Sequence, residues 1–322
     1  MKIFEITLLL LGSIIGAGFA TGAEIVTFFG YLQLPTWVIA LIVGLMMSLI
    51  VILEVVISYP SKAQQKTLQQ KTTTCKFLYL VFVIIYLILY TVMTAGITQL
   101  TNTWICLISL ALCILITLFG FQKLSKLNSF IVLIIIVLII TTTLPHLSFK
   151  TNFQYNYQHT FDAFYWALLY AGLNCFMYPE LIKALAQIHK RRTIILAGII
   201  TSLIVAILFG LILSVIKLTN TQTALIPLLA VAPNPITMVV ILLAVLSSQY
   251  TALFAIIQRL QIMIPTTKNK PLLTATLISF LALIGSYCGF NHIIKFTYPL
   301  IGGFTCFYLL FSFLLVLRHH SH

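Results

Sequence analysis

Ten apolar runs of about 20 residues, each long enough to cross the roughly 30 Å of hydrocarbon in a bilayer, occupy most of this sequence. They lie at about 4–31, 36–58, 77–99, 103–121 and 127–145, then at 161–188, 193–217, 234–260, 272–290 and 293–318. Hydrocarbon offers the backbone no partner, so each run is expected to be a helix that satisfies its own amides. Composition agrees: 7% of residues are charged, where a soluble domain carries about 25%. The chain reads as an all-α integral membrane protein, with 1–322 forming one transmembrane domain. Segment 221–235 holds Pro227, Pro233 and Pro235, so it reads as a loop or short re-entrant turn and not as an eleventh span.

The net charge of +13 comes from 18 lysines and arginines strewn between the runs. Placed there they act as topology signals, and no nucleic-acid partner is expected. With the N-terminus inside, Lys150, Lys217 and Lys295 fall outside and the other fifteen, from Lys2 to Arg318, fall on the cytoplasmic side. That bias predicts an even number of spans, both termini cytoplasmic, in the cell membrane. The apolar stretch after Lys2 runs past signal length without a cleavage site, so no cleavable leader is expected. The six cysteines (75, 106, 113, 175, 288 and 306) lack metal-like spacing and read as small apolar residues. The tail His319-His320-Ser321-His322 reads as a solvated end or an added tag.

Two runs are interrupted. In the first, Gly12, Gly16, Gly18 and Gly22 weaken the helix, each by up to about 1 kcal/mol relative to alanine. A broken spanning helix exposes a positive N-terminal end and free carbonyls, which suit an anion and a small cation. The same glycines also fit close helix packing, since Gly12/Gly16 and Gly18/Gly22 have G-x-x-x-G spacing. In the sixth run the interruption is expected at Tyr170-Ala171-Gly172-Leu173-Asn174-Cys175, with Pro179-Glu180 beyond it. Five runs precede the loop and five follow it. The two halves, about 1–146 and 158–318, therefore enter the membrane in opposite senses, with breaks at matching positions. That pattern points to a transporter's substrate site. There is no Walker loop, no H-E-x-x-H and no Ser-His-Asp arrangement, so the chain is not expected to be an enzyme.

Five plus five spans with breaks in the first and sixth resemble the LeuT-type fold of the amino acid–polyamine–organocation superfamily. The string Gly16-Ala17-Gly18-Phe19-Ala20-Thr21-Gly22-Ala23-Glu24 is similar to the G-A-G-F-A-S-G-x-E signature of bacterial YkvI-like membrane proteins. Thr21 stands where that signature has serine, and Ala23 where glutamine is usual. The resemblance implies ten transmembrane helices in a 5+5 inverted repeat, with spans one, two, six and seven moving against three, four, eight and nine. It also implies a sodium site made by the carbonyls of Gly12, Ile15 and Ala244 and the hydroxyls of Ser247 and Ser248. The chemistry is sound, because a hard cation takes about six oxygens, and unwound backbone plus hydroxyls supplies them without charge. The alternative is that both serines bond back to carbonyls of their own helix.

Three acids lie at depth, where carboxylates are functional candidates by default. Glu24 and Glu180 are candidate gate or path residues, with Lys183 as a structural partner for Glu180. Glu54 is expected to pair with Lys62 or Lys123. A substrate carboxylate is expected at the amides of Ala17, Gly18 and Phe19. Phe19, Tyr170, Gly172, Asn174 and Phe176 are expected to line the pocket. Tyr155, Tyr157, Tyr165 and Trp166 read as an outer aromatic belt. The function expected is sodium-coupled symport of a small zwitterionic solute such as an amino acid, with Na+ as coupling ion and no organic cofactor. The alternatives are proton coupling through Glu24 and Glu180, or a non-transporting sensor or assembly subunit.

Overall fold

The computed structural model describes residues 3–58, 72–118, 121–147, 160–221 and 227–320. Every apolar run folds as helix, the first and sixth in pieces. In chain order the first run gives α1 (Ile3–Ile14), α2 (Ala17–Thr21) and α3 (Ala23–Phe29). Then come α4 (Thr36–Ser58), α5 (Thr72–Leu100), α6 (Thr103–Leu118) and α7 (Phe121–Thr143). The sixth run gives α8 (Thr160–Cys175) and α9 (Tyr178–Ala186), followed by α10 (Arg191–Leu218) and the short α11 (Pro227–Val231). The last three are α12 (Pro235–Met263), α13 (Pro271–Ser286) and α14 (Phe290–His320). Six of these, α4, α5, α7, α10, α12 and α14, carry stretches long and apolar enough to cross a membrane. At 16 residues α6 and α13 are shorter.

The interior is organised around α12, where 83% of the apolar window is buried. It packs against α1, α2, α5, α6 and α7. Asn234 starts it, accepting a hydrogen bond from the Thr237 amide at 2.8 Å, with Pro235 in the first turn, where the missing amide proton is not needed. The proline-rich segment before it forms one helical turn, and residues 222–226 lie outside the described set. So do Tyr155 and Tyr157. Tyr165 is 58% exposed, and Trp166 stands edge-on to it and to Phe28.

The two breaks have different origins. In the first run the amide of Gly16 turns to the carbonyl of Ile14 at 2.7 Å, and Gly16 is extended. A second corner follows at Gly22, whose φ of 77° is left-handed and whose amide bonds Phe19. The sixth run departs from expectation, because Tyr170–Cys175 is helical and the break comes at Phe176–Met177. Pro179 sets it there. Its ring excludes the carbonyl of the residue four earlier, Cys175, and it has no proton to donate to it. Gly172 serves packing instead: a Cβ there would stand 2.6 Å from the carbonyl of Gly302, so glycine lets α8 and α14 touch backbone to backbone.

Candidate functional site

Breaking the first run frees carbonyls, and α12 meets them. The Gly12 carbonyl loses its helical partner when the Gly16 amide turns aside. Ser247 and Ser248 lie 3.2 and 3.4 Å from it, and Ser248 is 3.1 Å from the carbonyl of Ile15. These hydroxyls cross to another helix, whereas Thr251 on the same helix bonds back to the Ser247 carbonyl at 2.9 Å. Ala244 is fully buried one turn before Ser248.

The sequence reading missed Asn128, a buried amide on α7. Its oxygen accepts from Ser247 at 2.7 Å and Tyr250 at 2.5 Å, and its nitrogen donates to the Leu9 carbonyl at 3.1 Å. Gly12 has to be glycine here, because a Cβ would overlap the Asn128 amide. The signal was available: a lone amide in a lipid-spanning run is expensive and marks a polar neighbour. Gly12, Ile15, Ser247, Ser248 and Asn128 thus bring five neutral oxygens together from three helices. The shorter contact directs the Ser247 proton to Asn128, and Ser248's shorter contact is to Ile15, leaving Gly12 with the longer second contacts of both serines. The cluster is rich in lone pairs.

A second cluster joins the two interrupted runs. Glu24, 5% exposed, accepts a hydrogen bond from the Tyr170 hydroxyl at 3.2 Å and another from Asn174. Asn174 also donates to the Tyr170 carbonyl at 2.9 Å. Gly18 packs directly on the Glu24 carboxyl, leaving no space for a Cβ. The helix start assigned to a substrate carboxylate therefore already faces a carboxylate of the protein. Ala17 opens that turn, and Phe19 is fully buried. Phe28, Phe29 and Phe209 stand edge-on to Tyr170 at 5.4–5.6 Å.

The third cluster lies at the second break. Arg259, 3% exposed, pairs with Glu180, and Lys183 approaches Glu180 at 3.6 Å. The guanidinium lies 4.4 Å from the centre of the Phe82 ring and 4.8 Å from that of Tyr79. Phe176 stacks on Phe82 at 5.0 Å, and its freed carbonyl accepts from Tyr86 at 3.1 Å. Phe176 therefore belongs with this cluster and not beside Tyr170. Arg259 had read only as a topology residue, yet it is the main partner of Glu180. Glu54 is fully buried on α4; Lys62 and the side chain of Lys123 lie outside the described residues.

This packing of interrupted helices against a buried α12 is the fold of a membrane transporter. Two structures of the Eremococcus coleocola manganese transporter, one with an aromatic bis-isothiourea substituted compound and one of a mutant, superpose with a TM-score of 0.61. Each matches at 12% identity over 97% of this chain and 78% of the other. No family model and no curated protein matches the sequence. The chain is a multi-pass membrane protein with a transporter fold.

Proposed function

We propose that the chain is a sodium-coupled secondary transporter that moves a small zwitterionic solute, such as an amino acid, by alternating access. In this reading the ten runs are ten spans in two inverted repeats, about 1–146 and 158–318, with both termini cytoplasmic. The resemblance to YkvI-like proteins of the amino acid–polyamine–organocation superfamily supports the same layout.

The observation that carries the reading is the oxygen cluster between α1, α7 and α12. A cation of calcium's size takes oxygens at about 2.3–2.6 Å, so neighbouring ligands in an octahedral shell lie about 3.3–3.7 Å apart. The serine–carbonyl spacings of 3.1–3.4 Å approach the lower end of that range and fall short of what the larger potassium ion needs. Five uncharged donors suit a monovalent cation. Manganese is the cargo of the neighbouring structures, but among the described residues no three of His, Cys, Asp or Glu gather in a metal-binding group. Bound sodium would hold α1 to α12 and favour one gate state by its differential affinity.

The test titrates thermal stability against sodium, potassium and choline at constant ionic strength, beside uptake into proteoliposomes under an imposed sodium gradient. Sodium alone is expected to stabilise the wild type. Ser248→Ala, which deletes one ligand, is expected to raise the half-saturating sodium concentration on the order of tenfold, about 1.4 kcal/mol. Identical curves in all three cations would end the sodium reading and promote proton coupling.

A further inference from the structure

The Glu24 cluster names what the cargo must carry. We propose that Glu24, held by Tyr170 and Asn174, is the subsite for the protonated amine of the transported solute. The inference rests on the transporter reading above and specifies its substrate chemistry.

An ionised carboxylate in a low-dielectric interior is tolerated only with a compensating charge. Glu180 has two, Arg259 and Lys183. Glu24 has none: among the described residues no lysine, arginine or histidine forms an ion pair with it. Its partners are a phenol and an amide, and both donate to it. Both donors leave the carboxyl without a positive partner, so a cation brought in by the solute supplies the compensating charge. Tyr298, fully buried on α14, also lies within electrostatic reach of Glu24 and carries no positive charge.

The surroundings are those that suit an ammonium group. Tyr170, which reaches the carboxyl, is the centre of an aromatic cluster with Phe28, Phe29 and Phe209 packed edge-on around it. Aromatic faces attract ammonium cations and do so more strongly once water is excluded. A carboxylate beside aromatic rings combines both recognised means of holding an amine. Placement adds a reason. The carboxyl rests on Gly18, between the corners at Gly16 and Gly22, and its partners come from α8, the other interrupted run. A cation seated here ties the two broken runs together. The Glu24 carboxyl also fills the space at Gly18 that a substrate carboxylate would need, so the zwitterion binds by its amine end.

Three matched four-carbon probes separate the chemistry: n-butylammonium has the amine alone, butyrate the carboxylate alone, and 2-aminobutyrate both. Each is titrated against the thermal unfolding of purified wild type, Glu24→Gln and Tyr170→Phe at fixed sodium and ionic strength. The amine-bearing probes are expected to stabilise the wild type and butyrate is not. Glu24→Gln is expected to lose the amine response while keeping its stabilisation by sodium, which shows that it is folded. Tyr170→Phe, which loses one hydrogen bond to a charged group, is expected to weaken amine affinity about tenfold or more. Stabilisation by butyrate alone, an unchanged amine curve in Glu24→Gln, or no response to either amine would overturn the proposal. So would stabilisation by lowered pH that needs no amine and vanishes in Glu24→Gln, because Glu24 would then carry a proton. A sodium response without an amine response removes this proposal and leaves the sodium reading. An amine response without a sodium response does the reverse.

Discussion

The break at Ile15–Gly16 and the break at Phe176–Met177 both free backbone carbonyls but treat them differently. At the first, the carbonyls of Gly12 and Ile15 meet only neutral groups, two serine hydroxyls backed by an asparagine. At the second, the Phe176 carbonyl is taken by Tyr86, beside a buried arginine already matched to a glutamate. One region collects lone pairs and leaves positive charge to be brought in. The other neutralises itself. The difference separates the neutral cluster, where the proposed function puts its sodium, from a latch made of the protein's own charges.

Breaking the latch is expected to have the largest effect. Arg259→Gln leaves Glu180 buried with only the half-exposed Lys183 at 3.6 Å, and removing one partner of a buried pair costs about 3–5 kcal/mol. The check is the unfolding midpoint in detergent together with the yield of monodisperse protein. Replacing both partners, as Arg259→Met with Glu180→Met, is expected to recover most of that loss. If the single and double variants proved equally stable, the latch would be no more than a surface pair. Asn128→Ala comes next. It removes the amide oxygen that fixes Ser247 and Tyr250, and is expected to raise the half-saturating sodium concentration on the order of tenfold. Arg259→Gln should leave that concentration unchanged once its lower stability is allowed for, which sharpens the contrast between the regions. The smallest effect is expected for Tyr86→Phe: about 1 kcal/mol of stability from one lost hydrogen bond, read as a small midpoint shift with the sodium curve intact.

Helices and the first break were legible because they follow from local rules. Apolar length dictates the helices, and the glycine spacing marks Gly16 and Gly22. The adjacency of Ser247 and Ser248 to Gly12 and Ile15 came from the family resemblance, since nothing local relates residues more than 230 positions apart. The second break was misplaced because glycine and asparagine were weighted above proline. Pro179 acts on the carbonyl four residues earlier, whereas Gly172 sits in a good helix that needs room. Asn128 signals a polar neighbour by its cost in an apolar run, but neither it nor Tyr250 says which helix supplies the partner. Arg259 was misread because a basic residue near a helix end satisfies the topology rule whether it points to water or inward. Only the fold decides which.

The contact between Gly172 and Gly302 joins α8 to α14. A Cβ on Gly302 would overlap the carbonyl of Leu169, so α8 and α14 meet at the level of the main chain. Of the six long apolar helices, α14 is the least covered by protein, with 28% of its window buried, and most of its surface therefore faces lipid. A bilayer thinner or thicker than its apolar length tilts such a helix. Its packing partner α8 bears Tyr170 and Asn174. The joint between the lipid-facing helix and the one that holds Glu24 is thus made where two main chains meet, with Cys306 beside them.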